Sequence, residues 1–308
     1  MQEKFANALP LPKELEALPT ITAEPWLSLQ GVRDPLIEGP AFDRKGNFYV
    51  TCPGAGEIYR ITPDGKQEVI FKQPGFMFNG AAFHKDGRLF VGCLSGELLI
   101  LDPESGEFTA PKPSFEGMPL SINDLVFDDQ GRLFVTDYKG VYGLPIGGVY
   151  CLNDQGEILC KLAGGLVSPN GVSLSPDKRT LWVSETKNNT VLTIGLGPDG
   201  MSLDFINGVG CAYRSTGSAG PDSNKVDAMG NLYQCIMMQG RIVVLNRTGV
   251  PVANVLMKGR EQGQGLMSAN LAFKPGTKEG YVTAGGFTGP WIYKFEGLAE
   301  GLPLYSHA

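Results

Sequence analysis

The stretch Gly39–Val50, "GPAFDRKGNFYV", decides how the whole chain is read. It is a short apolar run, a polar turn with a glycine, and an aromatic-rich run. That is the pattern of a β-hairpin. The phrase returns as "GAAFHKDGRLFV" from Gly80, "DLVFDDQGRLFV" from Asp124 and "GVSLSPDKRTLWV" from Gly171. It returns again as "SNKVDAMGNLYQ" from Ser223 and "NLAFKPGTKEGYVT" from Asn270. A third strand follows each copy, as in "GEIYRITPDG" from Gly56, and "QEVIF" from Gln67 supplies a fourth. Successive copies start about 40 to 50 residues apart, the period of a propeller blade. Six units of four antiparallel strands predict an all-β, six-bladed β-propeller, whose edges are short and protected. A sandwich or barrel accounts for evenly spaced strands but not for six repeats of one phrase.

The last unit ends after its third strand, near Phe295. The N-terminal "EPWLSL", Glu24 to Leu29, is expected to supply the missing outer strand, with Trp26 packing it in. On this reading residues 1–23 are a polar, proline-broken lead-in, and residues 24–308 form a single propeller domain.

Composition agrees. The chain has 308 residues, 42% of them hydrophobic, enough for a large core. Its 42 glycines show no collagen-like period and suit many tight turns. A net charge of -6 and a pI near 5.1 leave no basic stripe for nucleic acid. No apolar run reaches the ~20 residues of a membrane span, and the N-terminus lacks a signal pattern. The six cysteines show no metal or redox spacing. These features predict a cytoplasmic protein without a nucleic-acid or membrane partner, and leave a monomer or small homo-oligomer open.

Aligned on the phrase, the copies share one register position just before it. It holds Glu38, Asn79, Asn123, Asn170, Asp222 and Ala269. In a propeller the first strand of each blade lines the central channel, so this position forms a ring at one level. Turn propensity permits Asn and Asp nearby but does not require a Glu. Carboxylates crowded near an enclosed axis need protonation or a cation, and no Lys or Arg occupies the ring position. The all-oxygen donor set suits Ca²⁺, leaves Mg²⁺ and Mn²⁺ open, and disfavours a zinc site of His or Cys type.

Other candidates are weaker. His84 is expected in an exposed hairpin turn and His307 in a frayed tail, so a Ser-His-Asp triad has no support. Asp137 and Glu185, which end their second strands, are expected to serve in salt bridges or turn caps.

"EGPAFDRKGNFYV", "INDLVFDDQGRLFVTD", "PNGVSLSPDKRTLWVSET" and "GPDSNKVDAMGNLY" resemble the gluconolactonase, regucalcin and senescence-marker-protein family over nearly the whole chain. "TITAEPWL", "HKDGRLFV", "GPDS" and "PGT" are most similar to its bacterial drug-responsive lactonase branch. The resemblance implies a metal-dependent hydrolase on a six-bladed propeller. Glu38, Asn170 and Asp222 correspond to its core metal ligands, and Asn123 to a position that binds metal or substrate. Asp222 also matches the general acid/base, with Ser223 beside it adding an oxygen. That branch holds a second calcium partly through an insertion in its second blade. "GCLSGELLILD" from Gly92 is short there, and no residues are assigned to a second ion.

A lactone or related ester is the expected substrate, oriented by Asn79, Asn123 and Ser223. The mouth is expected to be apolar, built by Phe76, Phe78, Met237 and Phe287 with Met77, Met238 and Met267. Organophosphate hydrolysis, as in the related diisopropyl fluorophosphatase, and a non-enzymatic binding propeller are the alternatives.

Overall fold

The computed structural model describes residues 10–32, 34–286 and 289–307. The fold is all-β and propeller-like. Four antiparallel sheets have four strands each, and one further sheet has eight. The innermost strands are Glu38–Phe42, Phe78–Phe83, Ile122–Phe127, Pro169–Leu174, Pro221–Val226 and Met267–Phe273. Each touches the next, and the last returns to the first, closing a ring. Among the described residues no helix is long and apolar enough to cross a membrane.

The repeated phrase folds as a hairpin for a local reason. Asp43 Oδ1 accepts the amides of Lys45 and Asn47, and its Oδ2 accepts Asn47 Nδ2 and Tyr49 Oη. Asp227 repeats this set with Met229, Asn231 and Tyr233. The turn glycine that follows each acid has positive φ, 80° at Gly46 and 84° at Gly230, where a side chain is disfavoured. In the second copy His84 takes the acid's place, its Nδ1 accepting the Asp86 amide at 3.3 Å.

The cores lie between sheets. Tyr49 and Ile58 of the first sheet pack with Phe78 and Val91 of the second. Phe90 of the second packs with Leu125 and Val135 of the third. The remaining cores repeat this arrangement, and the last packs Phe42 and Phe48 against Tyr281 and Ile292.

The N-terminal strand runs Thr20–Ser28, beginning ahead of Glu24 and ending before Leu29. Thr20 to Ala23 pair in parallel with Asn254 to Met257, and Glu24 to Ser28 pair antiparallel with Lys294 to Trp291. One strand thus joins a four-stranded half to a three-stranded half, making the eight-stranded sheet. Trp26 packs edge-on against Tyr281 at 5.2 Å, with Lys294 Nζ 4.0 Å from its ring centre. The lead-in is also part of the fold: Leu15 is 2% exposed in a core with Trp182 and Val243.

The C-terminal segment is docked, not frayed. The phrase residues Phe42, Phe83, Phe127, Leu174, Val226 and Phe273 form an apolar collar at the end of the channel away from the ring position. Leu302 to Ser306 close that end. Tyr305 packs on Phe127 and His84, Arg44 Nε donates to Ser306 O, and His307 Nε2 donates to Asp43 O. His84 is therefore 7% exposed rather than a solvent-facing turn residue.

Candidate active site

At the ring position every inner strand carries one extra residue. Pairing steps from Glu38–Thr51 to Ala41–Tyr49, from Ile122–Asp137 to Leu125–Val135, and from Pro221–Ile236 to Asn224–Gln234. The other three inner strands show the same shift. These are β-bulges, which re-aim side chains and free backbone groups from the ladder. Hydroxyls on the second strands take up the freed groups. Thr51 Oγ1 donates to Asn79 O, Thr136 Oγ1 to Asn170 O and Ser184 Oγ to Asp222 O. Sequence reasoning missed these hydroxyls. Their signal was the Thr or Ser after the valine in four of the six phrases, at 51, 136, 184 and 283.

All five polar ring residues are buried, Glu38 to 2% exposure and the other four to 4%. The next position along varies in size. Gly39, Gly80 and Gly171 make room, and Asp124, Ser223 and Asn270 fill it. A Cβ on Gly80 would lie 2.4 Å from Asp124 Oδ1, so only glycine admits that carboxylate. Ser223 Oγ donates to Asn170 Oδ1 at 3.3 Å. Asn270 Nδ2 and the Gly39 amide donate to Glu38 Oε2 at 3.0 and 3.1 Å. Asp124 Oδ2 pairs with Lys225 Nζ at 3.0 Å. Asp124, Asn270 and Lys225 were not singled out by sequence.

Burial pushes the Glu38 carboxyl up to about 7, and the Asp124 charge adds to this against hydrogen bonds from Asn270 and Gly39. Burial also pushes Asp222 well above the usual carboxylate range, with the Glu38 charge next and an Asn170 hydrogen bond opposing. Two carboxyls from different sheets therefore share one desolvated space.

Among the described residues, no group of three or more His, Cys, Asp or Glu has metal-holding geometry. The ring is a mixed set instead, two carboxylates with amides. Asn79 Oδ1 and Asn123 Oδ1 are buried without a hydrogen-bond partner. Two mutually repelling carboxylates beside orphaned amide oxygens fit a hard cation, which would offset the repulsion and give Asn123 Oδ1 a partner.

Residues 36–263 match the family described as SMP-30/Gluconolactonase/LRE-like region. The chain belongs to this family. It is 36% identical to lactonase drp35 of Staphylococcus saprophyticus over 310 residues, covering 97% of this chain and 94% of that protein. Lactonase drp35 of Staphylococcus aureus is 34% identical, with 97% and 94% covered. Regucalcin from Agrobacterium tumefaciens, described as a calcium-binding protein, superposes with a TM-score of 0.73 at 20% identity, covering 93% of this chain and 99% of that one. A gluconolactonase from Xanthomonas campestris gives 0.70 at 22%, covering 84% and 85%. At these identities the two solved structures speak to the fold alone.

In this gluconolactonase-family chain the expected mouth is only partly assembled. Phe78 does not line it. It is fully buried between the first two sheets, because side chains alternate along a strand and its neighbour Asn79 takes the channel side. Phe76 packs on Phe78 at 5.6 Å and is half-buried. Met237 and Met267 are half-buried, and Met77 and Met238 are each 46% exposed. Phe287 lies outside the described residues.

Asp137 and Glu185 act as caps. Asp137 Oδ1 accepts the Ser121 amide, and Glu185 accepts the Val167 amide, Asn188 Nδ2 and Thr190 Oγ1. Half-buried Tyr138, inside "VTDYKG", was overlooked. Burial raises its phenol pKa, as do the Asp222 and Glu38 charges, which places the ring beside the site.

Proposed function

We propose that this protein is a metal-dependent hydrolase that opens a lactone or related ester at the ring of Glu38, Asn79, Asn123, Asn170 and Asp222. One observation carries the reading: two desolvated carboxyls and two unpartnered amide oxygens converge at one level of the channel. The lactonase relatives, which match over nearly the full chain, support the substrate class.

Glu38, Asn170 and Asp222 would hold the ion, with Asn123 able to join. A divalent cation, Ca²⁺ by the donor set, supplies Lewis acidity toward the ester carbonyl when bound. Asp222 takes the proton of the attacking water and returns it to the leaving alkoxide. Asn270 and the Gly39 amide fix Glu38, and Ser223 fixes Asn170, so neither must reorganise during reaction. Asn79 and Asn123 orient the substrate, and Phe76 and Met237 bound it. We count the eight-stranded sheet as two blades, which gives six in one domain that takes in Leu15 and the strand from Thr20 besides the expected residues 24–308. Six unpaired cysteines suit a reducing cytoplasm.

The test is chelation. Protein stripped of divalent ions is assayed on γ- and δ-lactones and on a phosphotriester, then again with Ca²⁺, Mg²⁺ or Mn²⁺ restored. Lactonase activity that vanishes and returns with the ion is expected. Activity indifferent to chelation overturns the metal dependence, and turnover of the phosphotriester alone overturns the substrate class. No turnover and no bound ion would leave a ligand-binding propeller.

A further inference from the structure

Below the ring, three positions on from it, the inner strands carry Ala41, Ala82, Val126, Ser173, Lys225 and Ala272. Five are small or apolar, and one is a lysine whose side chain is 19% exposed. Its partner Asp124, with a side chain 1% exposed, stands where the first, second and fourth sheets have glycine. The repeat needs neither charge. A buried ion pair is no more stabilising than apolar residues of similar volume, so the pair calls for a reason other than packing.

The charges acting on the ring supply one. Asp124 directly follows the ring residue Asn123, its Oδ2 also accepting the Val172 amide of the neighbouring sheet at 3.4 Å, and Lys225 stands three residues past Asp222 on the same inner strand. Lys178, the other lysine facing the channel, is at the collar end beside Asp128, Asp129 and Asp177. With Glu38 and Asp222 holding a cation as carboxylates and Asp124 paired with Lys225, the enclosed site counts three carboxylates against one ammonium, two negative charges in all. A dication would neutralise it, whereas a trication would leave an excess charge in a poorly solvated space.

We infer that Lys225, acting through its ion pair with Asp124, sets the charge of the cation that the ring accepts, matching it to a divalent ion. The inference rests on the metal reading above. Lys225 is a specificity-determining residue and takes no part in proton transfer.

The experiment compares Tb³⁺ and Ca²⁺ affinities of chelated full-length protein by terbium luminescence and calcium competition. Lys225→Met leaves three negative charges and is expected to raise the Tb³⁺/Ca²⁺ affinity ratio roughly tenfold, as Coulomb's law gives for one unit charge several ångströms away. Asp124→Asn leaves one negative charge and is expected to lower the ratio by about as much. Its amide oxygen can still accept the Leu125 amide, which supports folding. The double variant restores two negative charges, so its ratio is expected to return to the wild-type value.

A ratio unchanged in the single variants overturns the inference, and so does a double variant that keeps either single shift. If Lys225→Met fails to fold, Asp124→Asn and the double variant still decide. Wild-type protein that binds neither ion would instead overturn the metal reading itself.

Discussion

Ser184 donates its hydroxyl to the carbonyl of Asp222 at 2.6 Å while accepting the amide of Gly171 at 2.8 Å. One buried side chain thus ties the bulge beside Asn170 to the neighbouring strand that presents Asp222. Ser184→Ala is expected to cost about 1–3 kcal/mol, because it leaves a buried amide unpaired. Ser184→Thr should cost less, since Thr fills the equivalent place at Thr51, Thr136 and Thr283. Denaturant melts of both variants check this, and an alanine variant as stable as wild type would refute the tie.

Asp222→Asn is expected to fold and to lose lactonase turnover by ~10²- to 10⁴-fold, the usual worth of a positioned acid–base group. Glu38→Gln should act mainly through the cation, with activity partly recovered by raising its concentration. Steady-state kinetics across an ion titration separates the two. Full turnover by Asp222→Asn with the ion retained would remove Asp222 from the acid–base role.

Trp26→Ala tests the closure. The half-buried ring packs on Phe48 and Tyr281 and lies under Lys294. Its loss is expected to cost about 2–3 kcal/mol, toward the low end for an aromatic because the site is open on one side. Proteolysis should then clip the chain ahead of Ser28 faster than elsewhere. A variant with unchanged melting would show that the backbone pairing alone closes the ring.

The C-terminal dock should weaken in acid. Burial and the Arg44 charge hold His307 below its ordinary 6.5, while the Asp43 carbonyl and carboxylate oppose them. The docked tail therefore binds fewer protons than the free one, and the docking it favours is present above pH 6.5 and lost as pH falls through the docked value. Hydrogen exchange over Leu302 to His307, corrected for intrinsic rates, is expected to be faster near pH 5.5 than near pH 7.5. His307→Gln should abolish the difference. An equal corrected rate in the wild-type protein would exclude this role.

The hairpins, the closing strand and the ring were legible because they are repeated: six copies give one register, and a period of two then fixes which side chains face the axis. That same period, applied to Phe78, turns it into the core. What the repeat could not show were its exceptions. The buried state of His84 depends on Tyr305, more than 200 residues away. The pairing of Asp124 with Lys225 joins strands two sheets apart. Neither contact leaves a local pattern. The bulges were hidden because an extra residue shifts pairing without altering composition.

The strand Thr20–Ser28 is made long before its antiparallel partner, Trp291–Glu296. Roughly 260 residues separate them, so at about 5–20 residues per second the strand waits some tens of seconds on the ribosome. Throughout that interval the edge that pairs with Trp291–Glu296 is open. The closed channel is therefore a late feature of synthesis, complete only when strands from distant parts of the chain have met.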